Sequence, residues 1–198
     1  MNLTRDEIDA LGFAHVGRDV RIHRNAEFYG AERIRIGDYS RIDSFSLLSA
    51  GDEGICIGKC VHVASGCYMF GGGGKITLED YSGLSSRVSI YTATDDYTGG
   101  HMTNPTVPGE VRAVRQGPVS LHKHVIIGAH SVVLPGVEMQ QGAAAGALTL
   151  VGQDVEEFAI LVGKGHGTRV VGHRGKKLLE MEAICESLIA EREHRRAG

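Results

Sequence analysis

The sequence predicts an all-β fold in which short strands coil into a parallel β-helix. From residue 121 to 156, an apolar residue opens every block of six, and the fifth residue of each block is small or β-branched. The openings are Leu121, Ile127, Val133, Met139, Ala145 and Val151, and the fifth positions are Val125, Ser131, Val137, Ala143, Thr149 and Val155. Six residues are not a whole number of α-helical turns, so a helix cannot keep these positions on one face. Three blocks instead form one triangular coil of about 18 residues, and the coils stack as parallel sheets.

A short helix is expected ahead of the coils, within residues 4–12. The stretch Thr4-Arg-Asp-Glu7 has the form of a capping box, and Gly12 follows Leu11 as a stop signal. We expect this helix to cover the open end of the stack, because a bare terminal coil would expose sheet edges.

Three regular coils follow an irregular first coil that begins at Val16 and Ile22. Their blocks open at Ile36, Ile42, Leu48, Ile57, Val63, Met69, Leu78, Leu84 and Ile90. The steps from Ile36 to Ile57 and from Ile57 to Leu78 are both 21 residues. The surplus falls in the glycine-containing stretches 50–54 and 70–74, which indicates bulging corners.

An inserted loop, residues 95–118, interrupts the stack after the third regular coil. The step from Ile90 to Leu121 is 31 residues, where six would continue the pattern. A loop this long inside a strict repeat is usually functional or disordered. Its two aspartates, tyrosine, histidine and asparagine favour a function.

The repeat decays over residues 158–163, and we expect residues 163–169 to leave the prism. Leu178, Met181, Cys185 and Leu188 recur at helical spacing, which predicts an amphipathic helix within residues 175–198. This helix is expected to cap the far end of the stack or to lie against a neighbouring subunit. The β-helix domain would therefore be residues 1–174.

Composition narrows the class of protein. The net charge is -3 and no basic cluster precedes the C-terminus, so the sequence predicts no basic surface for binding nucleic acid. No apolar run approaches the ~20 residues that span a bilayer, and the first residues do not form a signal peptide. The four cysteines lack CxxC spacing, which favours reduced thiols in a cytoplasmic protein over zinc or disulfides.

Over residues 16–174 the pattern resembles the left-handed parallel β-helix acyltransferases, the hexapeptide-repeat family that includes galactoside and maltose O-acetyltransferases. Residues 90–94 (IYTAT) resemble the strand that enters the catalytic loop of the galactoside group. Residues 117–119, 124–129 and 133–136 are similar to the coils where coenzyme A lies. Residues 95–99 and 103–108 resemble the bacterial branch that acetylates sugars for surface polysaccharides, including nucleotide-linked amino sugars.

The resemblance implies left-handed coils, acetyl-CoA as co-substrate without a metal, and a homotrimer with its site between adjacent prisms. Two departures matter. The galactoside enzymes have a histidine base where this sequence has Asp95, and their Gly-Asn-Pro-Ala turn is replaced by residues 163–168. A sugar hydroxyl needs a base poised near neutral pH, whereas an amine gives up its proton more easily. Asp95 therefore favours an amino-sugar acceptor.

The candidate catalytic residues are His101, Asp95, Asp96 and His62, and the candidate acceptor contacts are Tyr97 and Asn104. Plainer interpretations stand beside each: an exposed loop histidine for His101, turn and cap chemistry for the aspartates, and loop packing for Tyr97 and Asn104. His62 is expected at a corner, where a lone histidine is most often structural.

For coenzyme A, the small residues Gly128, Ala129, Gly146 and Ala147 lie at matching places in successive coils and would let pantetheine approach the backbone. Lys164, Arg169 and Arg174 are candidates for its phosphates, against generic surface cations. His122, His124 and His130 are expected to be solvated corner residues.

The sequence thus predicts an acetyl-CoA-dependent acetyltransferase that acts on a sugar, by N-acetylation of a nucleotide-linked amino sugar or by O-acetylation, in surface polysaccharide or lipopolysaccharide O-antigen biosynthesis. Three alternatives stay open. They are acetylation of a non-sugar molecule, a zinc protein resembling carbonic anhydrase with His62, His122 and His124 as ligands, and a non-catalytic scaffold.

Overall fold

The computed structural model describes residues 1–164 and 167–197, which wind into a triangular prism of stacked coils. The first four coils contain β1 (His15–Val16), β2 (Arg21–Ile22), β3 (Glu27–Tyr29), β4 (Ile34–Ile36), β5 (Arg41–Ile42), β6 (Leu47–Ser49), β7 (Ile55–Ile57), β8 (His62–Val63), β9 (Tyr68–Phe70), β10 (Ile76–Leu78), β11 (Gly83–Leu84) and β12 (Ser89–Tyr91). The inserted loop contains β13 (Ala93–Asp95) and β14 (Val114–Gln116). The remaining strands are β15 (Val119–Leu121), β16 (Ile126–Ile127), β17 (Val132–Val133), β18 (Glu138–Met139), β19 (Ala144–Ala145), β20 (Leu150–Val151), β21 (Ala159–Lys164) and β22 (Gly167–His173).

Three sheets form the faces of the prism. The first runs β1-β4-β7-β10-β15-β18, the second β2-β5-β8-β11-β16-β19-β21-β22, and the third β3-β6-β9-β12-β17-β20. Neighbouring strands are parallel throughout the three faces, except that β22 returns antiparallel to β21. The short β13 and β14 pair with each other outside the prism.

The predicted register is confirmed. In the first sheet Ile36 pairs with Ile57, Ile57 with Leu78, Leu78 with Leu121, and Leu121 with Met139. The block openings of the other two sheets stack in the same way and are buried, as are the predicted fifth positions. One continuous apolar core therefore runs the length of the prism.

Two corners are tight and the third is variable. The turn residues between the first and second sheets, and between the second and third, adopt left-handed backbone conformations; they include Tyr39, Cys60, Tyr81, His124, Phe45, Arg87, His130 and Leu148. The expected bulges, residues 50–54 and 70–74, both lie between the third and first sheets. The inserted loop leaves from this same third corner, between β12 and β15.

The N-terminal helix α1 (Arg5–Asp9) is present with its capping box. Thr4 Oγ1 accepts from the Glu7 amide, and the Glu7 carboxylate accepts from the Thr4 amide. Ile8 is buried in the core beside the first coil. The helix therefore closes this end of the stack, as expected.

The C-terminal segment departs from the prediction in two ways. Residues 163, 164 and 167–169 do not leave the prism, since β21 pairs with β19, and β22 pairs with β21 and extends the second sheet. Residues 165 and 166 lie outside the described residues. Helix α2 (Lys177–Ala197) does not cap the far end. It lies along the corner between the first and second sheets, where mostly acidic side chains hold it. Its ion pairs with the prism include Glu182 with Lys123, Glu186 with Lys59, Glu193 with Arg18 and Arg196 with Asp19.

The predicted apolar stripe of α2 is only partly buried, which explains why the position of this helix was predicted wrongly. Met181 and Leu188 are 42% and 47% exposed, while Leu178 and Cys185 are half-buried toward the prism. The side that faces the prism is therefore partly charged. No helix within residues 1–164 and 167–197 is long and apolar enough to cross a membrane.

Gly128 gives a direct test of how closely the coils approach one another. A Cβ at Gly128 would lie 2.3 Å from the Ala147 amide nitrogen, and the backbone of the next coil cannot move away without breaking register. We expect Gly128→Ala to lower the free energy of unfolding by about 1–3 kcal/mol, measured by urea denaturation. Gly172→Ala is the matched control, because a Cβ there meets nothing within 4 Å. Equal stability of the two variants would contradict the packing argument.

Candidate active site

The inserted loop is anchored by a hairpin at its base. Strand β13 pairs antiparallel with β14, and the Gly117 amide donates to the Thr92 carbonyl at 3.0 Å. A single 3₁₀ turn, Gly109–Val111, shapes the part that projects beyond the hairpin. The hairpin therefore fixes the start of the loop, where Asp95 and Asp96 stand.

Asp96 and His101 form a carboxylate–imidazole pair. The His101 Nδ1 lies 3.1 Å from Asp96 Oδ2, while Asp96 Oδ1 accepts from the Thr98 hydroxyl and amide. These bonds, those from Thr98 first, lower the pKa of Asp96 to about 2. A carboxylate with that pKa is a poor base at neutral pH. Its place beside the imidazole instead orients His101, whose side chain is 49% exposed.

Asp95 is held by different partners. Arg112 Nη2 donates to Asp95 Oδ1 at 3.0 Å, and the Asn104 amide donates to Asp95 Oδ2 at 3.0 Å. The Arg112 hydrogen bond, followed by that of Asn104, lowers the pKa of Asp95. Arg112 was not identifiable as a partner of Asp95 from sequence alone, because it lies 17 residues further along an irregular loop.

A cleft of about 560 Å³ lies between the loop and the third sheet, lined by Tyr91, Asp95, Tyr97, Pro105, Arg112 and Val132 among others. Tyr97 is 88% exposed at its rim. The Asn104 side chain accepts from the Thr106 amide and hydroxyl, which is turn chemistry. The roles of Tyr97 and Asn104 toward an acceptor stay predictions.

The predicted corner position of His62 is wrong: His62 lies on strand β8 of the second sheet. Its Nε2 is 2.8 Å from Asp43 Oδ2, and Arg41 Nε donates to Asp43 Oδ1 at 2.6 Å. Burial opposes ionisation of Asp43, but hydrogen bonds from His62 and Arg41 lower its pKa overall. Sequence reasoning missed Asp43, although the coil step of 21 residues places Arg41 beside His62 in register.

The structure brings Asp95, Asp96, His101 and Asn104 together on the loop but leaves His62 apart. The loop leaves the corner between the third and first sheets, whereas His62 faces outward from the second sheet. Within one chain, therefore, the loop histidine and the sheet histidine do not belong to one constellation.

A groove of about 460 Å³ crosses the second sheet, lined by His62, Ser85, Ser86, His124, Ile126 and Arg174 among others. The candidate coenzyme positions Gly128 and Gly146 lie on the corner between the second and third sheets, on the coils that follow the groove toward the C-terminus. Ile127 pairs with Ala145, so Gly128 follows the same column as Gly146. Leu84 pairs with Ile127, so Ser85 continues that column into the groove.

The three candidate phosphate cations have different surroundings. Arg174 Nη1 donates to the carbonyls of His124 and Gly142, so this guanidinium already supports the corner. Arg169 is exposed on β22, opposite Val162. The side chain of Lys164 lies outside the described residues. Phosphate binding by all three stays a prediction.

Of the three histidines expected to be solvated corner residues, His130 is exposed at its corner, whereas His122 and His124 contact carboxylates. His124 is not a solvated corner residue: it is mostly buried beneath α2, stacks on Tyr81 and contacts Glu182 at 2.7 Å. His122 lies between Glu138 and Glu79, which raise its pKa, Glu138 most. Among the residues with described side chains, no group of three or more histidine, cysteine or acidic residues is arranged to hold a metal ion.

Known proteins share both sequence and structure with this chain. No protein-family model matches it. A dTDP-4-amino-4,6-dideoxy-D-glucose acyltransferase of Escherichia coli is 44% identical over 178 residues, which are 90% of this chain and 91% of that protein. The N-acyltransferase AntD of Bacillus cereus, solved with dTDP-4-amino-4,6-dideoxyglucose and coenzyme A, superposes with a TM-score of 0.88 at 34% identity. That superposition covers 94% of this chain and 97% of AntD.

A hexapeptide-repeat acetyltransferase of Vibrio cholerae, solved with acetyl coenzyme A, has a TM-score of 0.57 at 20% identity over 88% of this chain and 80% of that one, and shows the fold alone. The stack of hexapeptide coils, the inserted loop and the similarity to structures solved with coenzyme A together define the class of protein, an acyltransferase. This chain belongs to the hexapeptide-repeat sugar acyltransferases, left-handed parallel β-helix enzymes. The predicted fold, family and class of activity are confirmed.

The Asp96–His101 pair makes a kinetic prediction. If the imidazole accepts the acceptor's proton, His101→Ala lowers kcat by about 10²-fold or more. Asp96→Asn has a smaller effect, because it removes the orienting carboxylate and leaves the imidazole. Steady-state assays of coenzyme A release measure both, with the exposed His194→Ala on α2 as control. A loss below about threefold for His101→Ala would show that the imidazole is not the proton acceptor.

Proposed function

We propose that this enzyme transfers an acetyl group from acetyl-CoA to the amino group of a dTDP-linked 4-amino-4,6-dideoxy sugar. The observation that carries the proposal is the match to the Escherichia coli acyltransferase, which extends over nine-tenths of both chains. AntD supports it independently, since it was solved with both the dTDP-amino sugar and coenzyme A. A further AntD complex holds 3-hydroxybutyryl-CoA, so a comparison of acetyl-CoA with 3-hydroxybutyryl-CoA as donors tests the acyl group.

The loop supplies the proton chemistry of the proposed reaction. The neutral amine attacks the thioester carbonyl, a C–N bond forms, the C–S bond breaks and coenzyme A leaves. His101, oriented by Asp96, accepts the proton that the amine nitrogen loses and passes it to the departing thiolate. Asp95, kept ionised by Arg112, attracts the amino group toward the site.

We propose that the site is shared between neighbouring copies of a homotrimer. AntD was studied with substitutions at a serine and at an aspartate ten positions later, a spacing that Ser85 and Asp95, or Ser86 and Asp96, reproduce here. In this chain the serines follow the second sheet and the aspartates follow the third. The width of the third sheet separates them, so one substrate contacts both only when the loop comes from an adjacent prism.

The outer face of the third sheet supports this arrangement. Its outward side chains are largely apolar: Leu47, Tyr68, Phe70, Tyr91, Val132 and Leu150. Tyr68, Phe70 and Tyr91 stack in a row with ring centroids 6.2 Å and 5.3 Å apart. Three such faces around a threefold axis would bury this surface and bring the loop of one copy to the serine corner of the next.

We place the enzyme in the cytoplasm, in the biosynthesis of a surface polysaccharide such as the O-antigen of lipopolysaccharide. Nucleotide-linked amino sugars are activated donors for glycan assembly, and acyl-CoA is a cytoplasmic metabolite. The four free cysteines agree with a reducing compartment.

An acceptor panel tests the reaction. We expect acetyl-CoA and dTDP-4-amino-4,6-dideoxyglucose to give a product heavier by one acetyl group, with matching thiol release. The analogue with a hydroxyl in place of the amine should react far more slowly, because a hydroxyl is a weaker nucleophile at neutral pH. Serine is the non-sugar control. Faster acetylation of the hydroxyl sugar or of serine would contradict the proposed acceptor.

Mixed oligomers test the shared site. Chains carrying Ser85→Ala and Ser86→Ala have a defective corner, and chains carrying Asp96→Asn and His101→Ala have a defective loop. Each homo-oligomer should be nearly inactive. Co-expressed in equal amounts, they should recover roughly a quarter of wild-type activity, because random mixing joins an intact corner to an intact loop at that frequency. No recovery in oligomers proven to be mixed would place each site within one chain.

A further inference from the structure

The corner between the second and third sheets carries one outward residue from each coil. In chain order this column is Phe45, Gly66, Arg87, His130 and Leu148, all with φ between 56° and 73°. Backbone hydrogen bonds join the coils at this corner, as from the Arg87 amide to the Ser65 carbonyl and from the His130 amide to the Ser86 carbonyl, both at 3.0 Å. Successive members therefore lie one coil apart, about 4.8 Å.

Arg87 is the one residue of this column whose side chain is always positively charged. It is exposed, and none of the ion pairs among the described residues 1–164 and 167–197 includes it. The Arg87 stem lies over Gly66, since a Cβ on Gly66 would come within 3.2 Å of the Arg87 Cγ. The missing side chain at Gly66 thus makes room for Arg87 to extend along the corner toward the N-terminal coils.

Phe45 lies two coils below Arg87, about 10 Å away along the same corner. Its ring is 66% exposed, although an aromatic side chain in water gains nothing from that position. Asp43, two residues earlier, is paired with Arg41 Nε at 2.6 Å, so this carboxylate is already compensated by a cation and opposes an anion little. The lower part of the corner therefore offers an open aromatic face and an unpaired guanidinium at a fixed separation.

We propose that this corner binds the nucleoside diphosphate part of the acceptor, with the base stacked on Phe45 and the diphosphate paired with Arg87. The sugar then points to Ser85 and Ser86. Ser85 begins the column that Gly128 and Gly146 continue on the next coils toward the C-terminus. Acceptor and acyl-CoA would meet end to end on one corner, from opposite directions. This assignment rests on the proposed nucleotide-sugar function and adds the residues that recognise the nucleotide.

Calorimetric titration of Arg87→Gln tests the diphosphate contact without turnover. We expect the Kd for dTDP to rise about tenfold or more, because a guanidinium–phosphate pair is a strong charge-assisted contact. The Kd for thymidine and for coenzyme A should stay near that of the wild type. Arg35→Gln, an exposed arginine on the first sheet, is the matched control. Phe45→Ala should weaken dTDP and thymidine alike, by about fivefold or more.

Three results would overturn the proposal. If Arg87→Gln weakens coenzyme A and not dTDP, Arg87 binds a coenzyme phosphate. If neither ligand is affected, the corner holds no phosphate. If light scattering shows that Phe45→Ala dissociates the oligomer, Phe45 is a subunit contact rather than a base platform. If the wild-type protein acetylates no amino sugar but still binds dTDP more tightly than Arg87→Gln does, the proposed reaction is rejected and the nucleotide site stands.

Discussion

The structure depends on the register of apolar side chains inside the stack. Side chains along a strand alternate between the two faces of a sheet, so a slip of one residue would turn a whole column from the core to solvent. The columns Ile36–Ile57–Leu78–Leu121–Met139 and Ile42–Val63–Leu84–Ile127–Ala145 therefore fix each coil against the next. Two corners have no freedom in length, and every insertion is confined to the third corner.

This confinement decides where function can develop. The inserted loop stands on the third corner, and α2 occupies the corner between the first and second sheets through its ion pairs with Lys59, Lys123 and Arg18. Single exposed ion pairs contribute little, so a series of them along the helix is what holds it in place. The corner between the second and third sheets stays uncovered. It carries the small residues, the serines and Arg87.

The core and the loop insertion were predictable because each follows from local spacing. Within each coil the buried block openings repeat at six residues, and the interruption is visible as a surplus after Ile90. The placement of α2 was not predictable, since its anchors join residues such as Lys59 and Glu186 that share no repeat. The β21–β22 hairpin was missed for another reason: once the hexapeptide pattern ends, an open sheet edge can still pair with a strand that has no pattern.

Within the site, the residue types were predictable and their partners were not. Asp95, Asp96 and His101 were identified by content, yet their roles separate only when Arg112 and Thr98 are seen beside them. Asp43 acquires meaning only from His62 on the following coil. Side-chain pairing across coils or within an irregular loop leaves no periodic trace, whereas burial does.

The electrostatics of the loop favour an amine acceptor over a hydroxyl. Both aspartates have lowered pKa values and stay ionised at neutral pH, so the loop presents two carboxylates, of which Asp95 is paired with Arg112, and one imidazole. Carboxylates attract an ammonium group but cannot remove a proton from a sugar hydroxyl, whose pKa is far higher than theirs. An amine needs only to be held in its neutral form and relieved of a proton after attack. A single oriented imidazole is sufficient for that task, and the carboxylates then act by attraction and orientation rather than as bases.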